Sequence, residues 1–112
     1  MVFCEEYARG SFVVRALMDA GRTVRWVRGV ETAFLLAERE RVDVLVADAH
    51  SSDVLSSLVS GWRRRAPDAP VVLLSPGGDA STALADDVVA SPLNMEAIEG
   101  SVARALLQRA RA

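Results

Sequence analysis

The chain of 112 residues is predicted to fold as one α/β domain, in which helices cover both faces of a parallel sheet. Two short apolar runs, residues 42–48 and 71–74, have the length and composition of strands buried on both faces. Segments with helical spacing of apolar residues alternate with such runs along the chain. Because the composition does not shift and no repeat or linker interrupts it, residues 1–112 are expected to form a single three-layer domain.

Two strand–helix units are predicted before the central strand. Val2–Cys4 is a minimal apolar strand. The apolar spacing that follows predicts a helix with Ser11 as its N-cap and Gly21 as its stop. Residues 22–28 alternate loosely and contain arginines, which indicates a half-solvated edge strand. Residues 30–41 return to helical spacing and predict the second helix.

The second half of the chain continues the alternation. Residues 50–53 offer N-cap groups for a third helix, and three arginines at 63–65 suit its negative end, although they could also form a phosphate patch. Residues 81–84 give at most two weak turns, so the fourth helix is expected to be shortened. A short strand at 88–90 and a final helix capped by Asn94 complete about five helices and five strands.

Composition limits the classes of function. The formal net charge is −2, which favours neither nucleic acid nor a membrane surface as a partner. Every basic residue is an arginine, so chemistry that needs a side-chain amine is excluded. The single cysteine, Cys4, fits a reducing compartment and is expected to be a small core residue. With no apolar stretch of membrane-spanning length and no signal sequence, we expect a cytoplasmic location.

Polar side chains follow the predicted strands in a particular order. Glu5 and Glu6 follow the first strand, Asp48 the third, Ser75 the fourth, and Ser91 with a proline the fifth. Open α/β folds bind ligands at the carboxyl ends of their strands, so Asp48 is the leading candidate for a functional acid. Over its whole length the chain resembles the CheY-like receiver domains of bacterial response regulators. Residues 42–48, 66–75 and 85–93 carry the most specific part of this resemblance.

The resemblance implies a flavodoxin-like sheet of strand order 2-1-3-4-5 and a role for each of these side chains. Asp48 matches the aspartate that accepts a phosphoryl group from a partner histidine kinase. The acidic pair of the family falls at Cys4 and Glu5, with Glu6 beside them, so Glu5, Glu6 and Asp48 are weak Mg²⁺ candidates. Ser75 matches the hydroxyl that contacts the phosphoryl group, and Ser91 stands at the position of the family lysine.

Several departures from the family pattern weaken a phosphorylation switch. Ser91 carries no charge, and with no lysine in the chain we expect no cation to reach Asp48. Pro76 follows Ser75 and lacks the backbone N–H that the family uses there. Val88 replaces the aromatic side chain that moves on activation. The segment between Ser75 and Ser91 is also shorter than is usual in the family.

These departures favour an atypical receiver, or pseudo-receiver, that binds a protein partner without conventional phosphorylation. The alternative is a Mg²⁺-dependent receiver that still accepts phosphate on Asp48 in a two-component phosphorelay. An enzyme or nucleotide-binding protein is disfavoured, because no strand is followed by G-x-G-x-x-G or by a P-loop. No cofactor is expected apart from possible Mg²⁺. His50 beside Asp48 leaves open a transition-metal site, although a polar loop residue is the simpler interpretation.

A partner is expected to be a histidine kinase or another signalling protein. The predicted interface candidates are Val88, Val89, Ala90 and Arg104, on the last strand and the last helix, where a homodimer is also possible. The short segment 76–85 is a second candidate surface. Trp26 and Trp62 could each anchor an interface, with core burial favoured for Trp62. The resemblance also predicts a cis bond between Ser91 and Pro92. Whether an output domain follows is left open.

Overall fold

A computed structural model describes residues 1–48, 51–74, 85–89 and 94–111, without the side chains of 52 and 109–111. The predicted fourth helix at 81–84 lies outside these ranges. Within them, five strands and four helices alternate, except that no helix is described between the last two strands. In chain order they are β1 Val2–Cys4, α1 Tyr7–Asp19, β2 Trp26–Val27, α2 Val30–Arg39, β3 Leu45–Asp48, α3 Ser52–Arg65, β4 Val71–Leu74, β5 Asp87–Val89 and α4 Met95–Arg111.

The strands form one parallel sheet in the order β2-β1-β3-β4-β5, which confirms the predicted fold. The register places Cys4 beside Asp48, so the carboxyl ends of β1 and β3 are level. β2 lies at the edge, as predicted, although it spans only two residues of the alternating segment. Asp48, the leading candidate for a functional acid, is therefore at the carboxyl edge of the sheet, next to the end of β1.

Side chains alternate between two apolar cores, one on each face of the sheet. Phe3, Leu45 and Ala47 pack with α2 and α3, whereas Val2, Cys4 and Val46 pack with α1 and α4. Each strand of the centre is buried on both faces, which explains why its sequence reads as an unbroken apolar run. Trp62 is fully buried and donates its indole N–H to the Ala69 carbonyl oxygen at 3.2 Å, as expected for a core tryptophan.

Helix α1 begins five residues earlier than the predicted cap at Ser11 indicates, because its observed N-cap is Glu6. It starts at Tyr7, so Ser11 lies inside the helix and the prediction that it is the N-cap is wrong. Gly10 therefore also lies inside the helix and is buried under Trp26: a Cβ atom there would lie 2.3 Å from the indole Cζ2. The end of the helix was predicted correctly, because Gly21 has a φ of 87° and its N–H bonds back to the Met18 carbonyl oxygen.

The other two predicted caps are confirmed. The Ser51 hydroxyl accepts from the Val54 N–H at 3.4 Å at the start of α3, and the Asn94 side-chain oxygen accepts from the Ala97 N–H at 2.8 Å at the start of α4. No helix in the described ranges is both long enough and apolar enough to cross a membrane.

Candidate functional site

Asp48 is the last residue of β3 and one of two buried polar or charged side chains in the described part of the chain. Its exposed fraction is only 7 %, because the flanking strand and α1 cover it. A carboxylate removed from water needs compensating donors close by. The residues that supply them define the site.

Arg9, on the first turns of α1, supplies the strongest contact. Its Nε atom lies 2.5 Å from Oδ2 of Asp48, and about a third of the Arg9 side chain remains exposed. The hydrogen bond that Arg9 donates to Asp48 is the main cause that raises the pKa of Arg9, so the guanidinium stays charged. The expectation that no cation reaches Asp48 is therefore wrong. The chain has no lysine, but an arginine in α1 supplies the cation.

Cys4 is the second neighbour of Asp48. Its Sγ atom lies 3.6 Å from Asp48 Oδ2 and 3.3 Å from the Glu6 carbonyl oxygen. Burial is the main cause that raises the pKa of the Cys4 thiol to about 11, so the thiol keeps its proton at neutral pH. Where the family resemblance places an acid, the described site therefore carries a neutral S–H group.

Glu5 and Glu6 are both exposed at the end of β1. Within the described residues, no three His, Cys, Asp or Glu side chains converge as they would around a metal ion. Mg²⁺ prefers near-octahedral oxygen ligands, and here one Asp48 oxygen is bonded to Arg9 while the nearest matched position is a protonated thiol. In this arrangement the described residues do not fit Mg²⁺, and its binding by Glu5, Glu6 and Asp48 stays a prediction.

Other predicted site residues lie outside the described ranges. They are His50, Ser75, Ala90 and Ser91, together with Pro76 and the Ser91–Pro92 bond that was predicted to be cis. Their predicted roles are therefore neither supported nor opposed by the geometry.

An aromatic pair lies beside the Asp48 site, and the sequence did not reveal it. The rings of Tyr7 and Trp26 stack with centroids 5.5 Å apart and planes tilted by 45°. The indole N–H of Trp26 donates to the Cys4 carbonyl oxygen at 3.2 Å. Tyr7 is 69 % exposed, whereas Trp26 is half-buried over α1. Only the correct start of α1 would have placed Tyr7 and Arg9 on the same helix as Gly10.

The predicted interface residues differ in accessibility. Val89 is buried in the core under α4, and Val88 is partly buried on the opposite face of the sheet. Arg104 is exposed on α4 and donates to the Asp87 carboxylate, with 3.1 Å between Nε and Oδ2. Of these described residues, Arg104 is the one that a partner can reach directly.

Two cavities of about 510 Å³ each open at the amino edge of the sheet. One is lined by Pro70 and Asp86, just before β4 and β5, and the other by Met1 and Val44, just before β1 and β3. Asp48 lines neither of them. The acid site at the carboxyl edge is thus separate from both cavities.

Comparisons with known proteins give matches among solved structures only. No family model matches the chain, and no curated protein matches it significantly. A CheY-like receiver domain from Methanospirillum hungatei superposes with a TM-score of 0.86 at 13 % identity, covering 98 % of this chain and 94 % of that one. The chain has the receiver-domain fold. At this identity, the likeness establishes the architecture alone.

Two further structures share the receiver fold. A response regulator from Burkholderia pseudomallei, solved with a phosphorylated aspartic acid, a calcium ion and citrate, has a TM-score of 0.78 at 24 % identity over 98 % of this chain and 69 % of that one. The beryllofluoride-activated NtrC4 receiver dimer has a TM-score of 0.84 at 16 % identity over 96 % and 95 %. Receiver architecture therefore accommodates sequences that differ from this chain at most positions.

Proposed function

We propose that this chain is a receiver-like signalling module that acts by binding a protein partner and does not use a conventional phosphorylation switch. The ion pair between Arg9 and Asp48 carries the proposal. In a typical receiver, the matching carboxylate is available to a metal ion and to the incoming phosphoryl group. Here one of its oxygens is already bonded to an internal cation at 2.5 Å.

The charges of the described site support the same conclusion. Asp48 contributes one negative charge, Arg9 cancels it, and the Cys4 thiol is neutral because burial raises its pKa to about 11. A Mg²⁺ ion approaching Asp48 would come close to the Arg9 guanidinium, and like charges at this range repel. A metal ion bound at Oδ2 would displace a charge-assisted hydrogen bond worth about 1.5–3 kcal/mol, and one bound at the other Asp48 oxygen would lie beside the guanidinium.

The sequence departures act in the same direction. Ser91 replaces the family lysine, Pro76 has no N–H to offer, and Val88 replaces the aromatic side chain that couples the site to the output face. Each change removes a different part of the switch. Without these groups, the chain would act through its fold and a surface that binds a partner.

The proposed partner is a histidine kinase or another signalling protein, and a second copy of the chain is a further candidate. The NtrC4 receiver with the same fold is a dimer. In this chain, the exposed Arg104 and the edge strand β5 offer one surface for such pairing. Neither nucleic acid nor a membrane is a proposed partner, given the net charge of −2.

A second function is phosphoryl acceptance on Asp48. It is favoured by the position of Asp48 at the carboxyl end of β3 and by the phosphorylated aspartic acid in the Burkholderia structure. In that case the Arg9 guanidinium would pair with the phosphoryl oxygens, a contact that arginine makes well.

Intact-mass spectrometry separates the two functions. The protein is incubated with Mg²⁺ and a small phosphodonor, and Asp48→Asn is treated in parallel. The proposed function predicts no phosphoryl adduct that depends on Asp48. An adduct on the natural chain that is missing from Asp48→Asn would overturn it and establish the second function.

A further inference from the structure

We infer that Arg9 is a positioning residue that couples the carboxylate of Asp48 to the Tyr7–Trp26 aromatic pair. The inference deepens the proposed function and rests on it in one respect, since it takes the Arg9–Asp48 pair as the resident state of the site. A change in the Arg9–Asp48 pair is then observed at Trp26 of β2, the edge strand opposite β5.

The first step is from the carboxylate to the helix. Asp48 belongs to the rigid centre of the sheet, where β3 pairs with β1 and β4. Arg9 belongs to the first turns of α1, which begin only three residues after β1 ends. The 2.5 Å contact between their side chains therefore fixes the start of α1 relative to the sheet edge.

The second step is from the helix to Trp26. Gly10 follows Arg9 directly, and the indole ring occupies the space where a Cβ atom of residue 10 would be, 2.3 Å from Cζ2 and 2.6 Å from Cε2. The ring therefore lies directly against the backbone of α1, and close packing of this kind transmits displacement between neighbouring elements. A shift of the first turns of α1 must move the indole.

Trp26 also has an anchor on the strand that adjoins Asp48. Its Nε1–H donates to the Cys4 carbonyl oxygen at 3.2 Å, and the Cys4 Sγ atom lies 3.6 Å from Asp48 Oδ2. The contacts thus form a closed circuit from Asp48 through Arg9, Gly10, Trp26 and Cys4 back to Asp48. The indole N–H bond is the part of this circuit that spectroscopy can observe directly.

The last step reaches the surface. Tyr7 stacks on Trp26 at 5.5 Å and is 69 % exposed, so its position follows that of the indole. Tyr7 lies one turn before Gly10 on the same helix. A movement of α1 therefore acts on both rings, on Tyr7 through the backbone and on Trp26 through its contact with Gly10. Loss of the Arg9–Asp48 bond is expected to reorient both rings.

The test is the indole N–H spectrum of the ¹⁵N-labelled protein. The chain has two tryptophans, and Trp62 provides an internal control because its N–H is bonded to Ala69 in the other core. The two signals are assigned with Trp26→Phe. We expect Arg9→Gln and Asp48→Asn each to shift the Trp26 signal by more than its linewidth and to leave the Trp62 signal in place.

Arg22→Gln is the matched control. Arg22 pairs with Glu99 at 2.6 Å and is 31 % exposed, as Arg9 is, but it follows the other end of α1. It should leave the Trp26 signal unchanged. Arg9→Lys keeps the charge and should return the signal part of the way towards that of the natural chain.

Three results would overturn the inference: an unchanged Trp26 signal in folded Arg9→Gln, an equal shift in Arg22→Gln, or equal movement of both indoles. If Asp48→Asn does not fold, the comparison of Arg9→Gln with Arg9→Lys tests the inference. The outcome is independent of phosphoryl transfer. A phosphoryl adduct on Asp48 would refute the proposed function and leave this coupling intact. An unchanged Trp26 indole signal in Arg9→Gln would refute the coupling alone.

Discussion

The Arg9 Nε atom donates to Asp48 Oδ2 at 2.5 Å, joining the start of α1 to the end of β3 across 39 residues of sequence. The two partners are unequal in burial, with side-chain exposures of 31 % for Arg9 and 8 % for Asp48. A charge that can reach water survives the loss of its partner more easily than one that cannot. The two partners are therefore expected to differ in how much stability is lost when each is replaced.

Removing Arg9 should cost more stability than removing the charge of Asp48. We expect Arg9→Gln to lower the free energy of unfolding by about 2 kcal/mol, because it leaves a buried carboxylate without its cation. Asp48→Asn should lower it by about 1 kcal/mol, since the freed guanidinium can turn to solvent. Urea unfolding followed by circular dichroism measures both values.

Arg22→Gln serves as the control for this comparison. Both partners of the Arg22–Glu99 pair are about 30 % exposed, so solvent screens the interaction and its loss should cost at most about 1 kcal/mol. A larger loss in Asp48→Asn than in Arg9→Gln would show that the buried carboxylate does not depend on Arg9.

The Cys4 thiol makes alkaline stability depend on pH. The unfolded thiol ionises near its ordinary pKa of 9, whereas burial raises the folded pKa to about 11. Between these values the unfolded state has lost a proton that the folded state retains, so stability falls as pH rises. The slope approaches roughly 1.4 kcal/mol per pH unit within that window.

The absence of lysine makes this slope easy to isolate. The chain contains no lysine to titrate in this window, and Tyr7, its one tyrosine, can be replaced by phenylalanine. In a Tyr7→Phe background, Cys4→Ala should flatten the dependence of stability on pH between 9 and 11. A slope that survives in the double variant would place its origin elsewhere.

Three helical glycines make a graded series for packing. A Cβ atom at Gly10 would lie 2.3 Å from Trp26, and one at Gly61 would lie 2.2 Å from the Phe34 ring, whereas at Gly100 the nearest atom is 3.6 Å away. We expect Gly10→Ala and Gly61→Ala to lower stability by about 1–3 kcal/mol through overpacking. Gly100→Ala should raise it by up to about 1 kcal/mol through helix propensity.

Thermal unfolding of the three variants measures this series. Gly10→Ala should also quench or shift the fluorescence of Trp26, which Gly61→Ala should not do. Equal effects at all three positions would indicate that helix propensity, and not ring packing, decides the outcome.

The sheet could be predicted from the sequence because its centre is buried on both faces. The runs that became β3 and β4 contain almost only aliphatic residues, and the caps Ser51 and Asn94 are local signals that need no tertiary information. The edge position of β2 was also predictable from its arginines.

The cation of the site could not be found in the same way. Ser11 has the side chain of a good N-cap, whereas Glu6, the observed N-cap, makes no side-chain cap hydrogen bond, so the local signal favours the later start. A helix capped by Ser11 leaves Arg9 in the connection before it, where the sequence gives its side chain no defined direction. The helix start therefore determines whether Arg9 lies on α1, from which it reaches Asp48.

Amide NMR of the natural chain with Mg²⁺ and beryllofluoride tests the central claim most directly, because the probe imitates a phosphoryl group without needing a kinase. The claim predicts that the amide signals of Cys4, Arg9 and Asp48 stay in place at millimolar Mg²⁺ and saturating beryllofluoride. Shifts at these residues that vanish in Asp48→Asn would contradict it, since they would show that the carboxylate leaves Arg9 for the ligand.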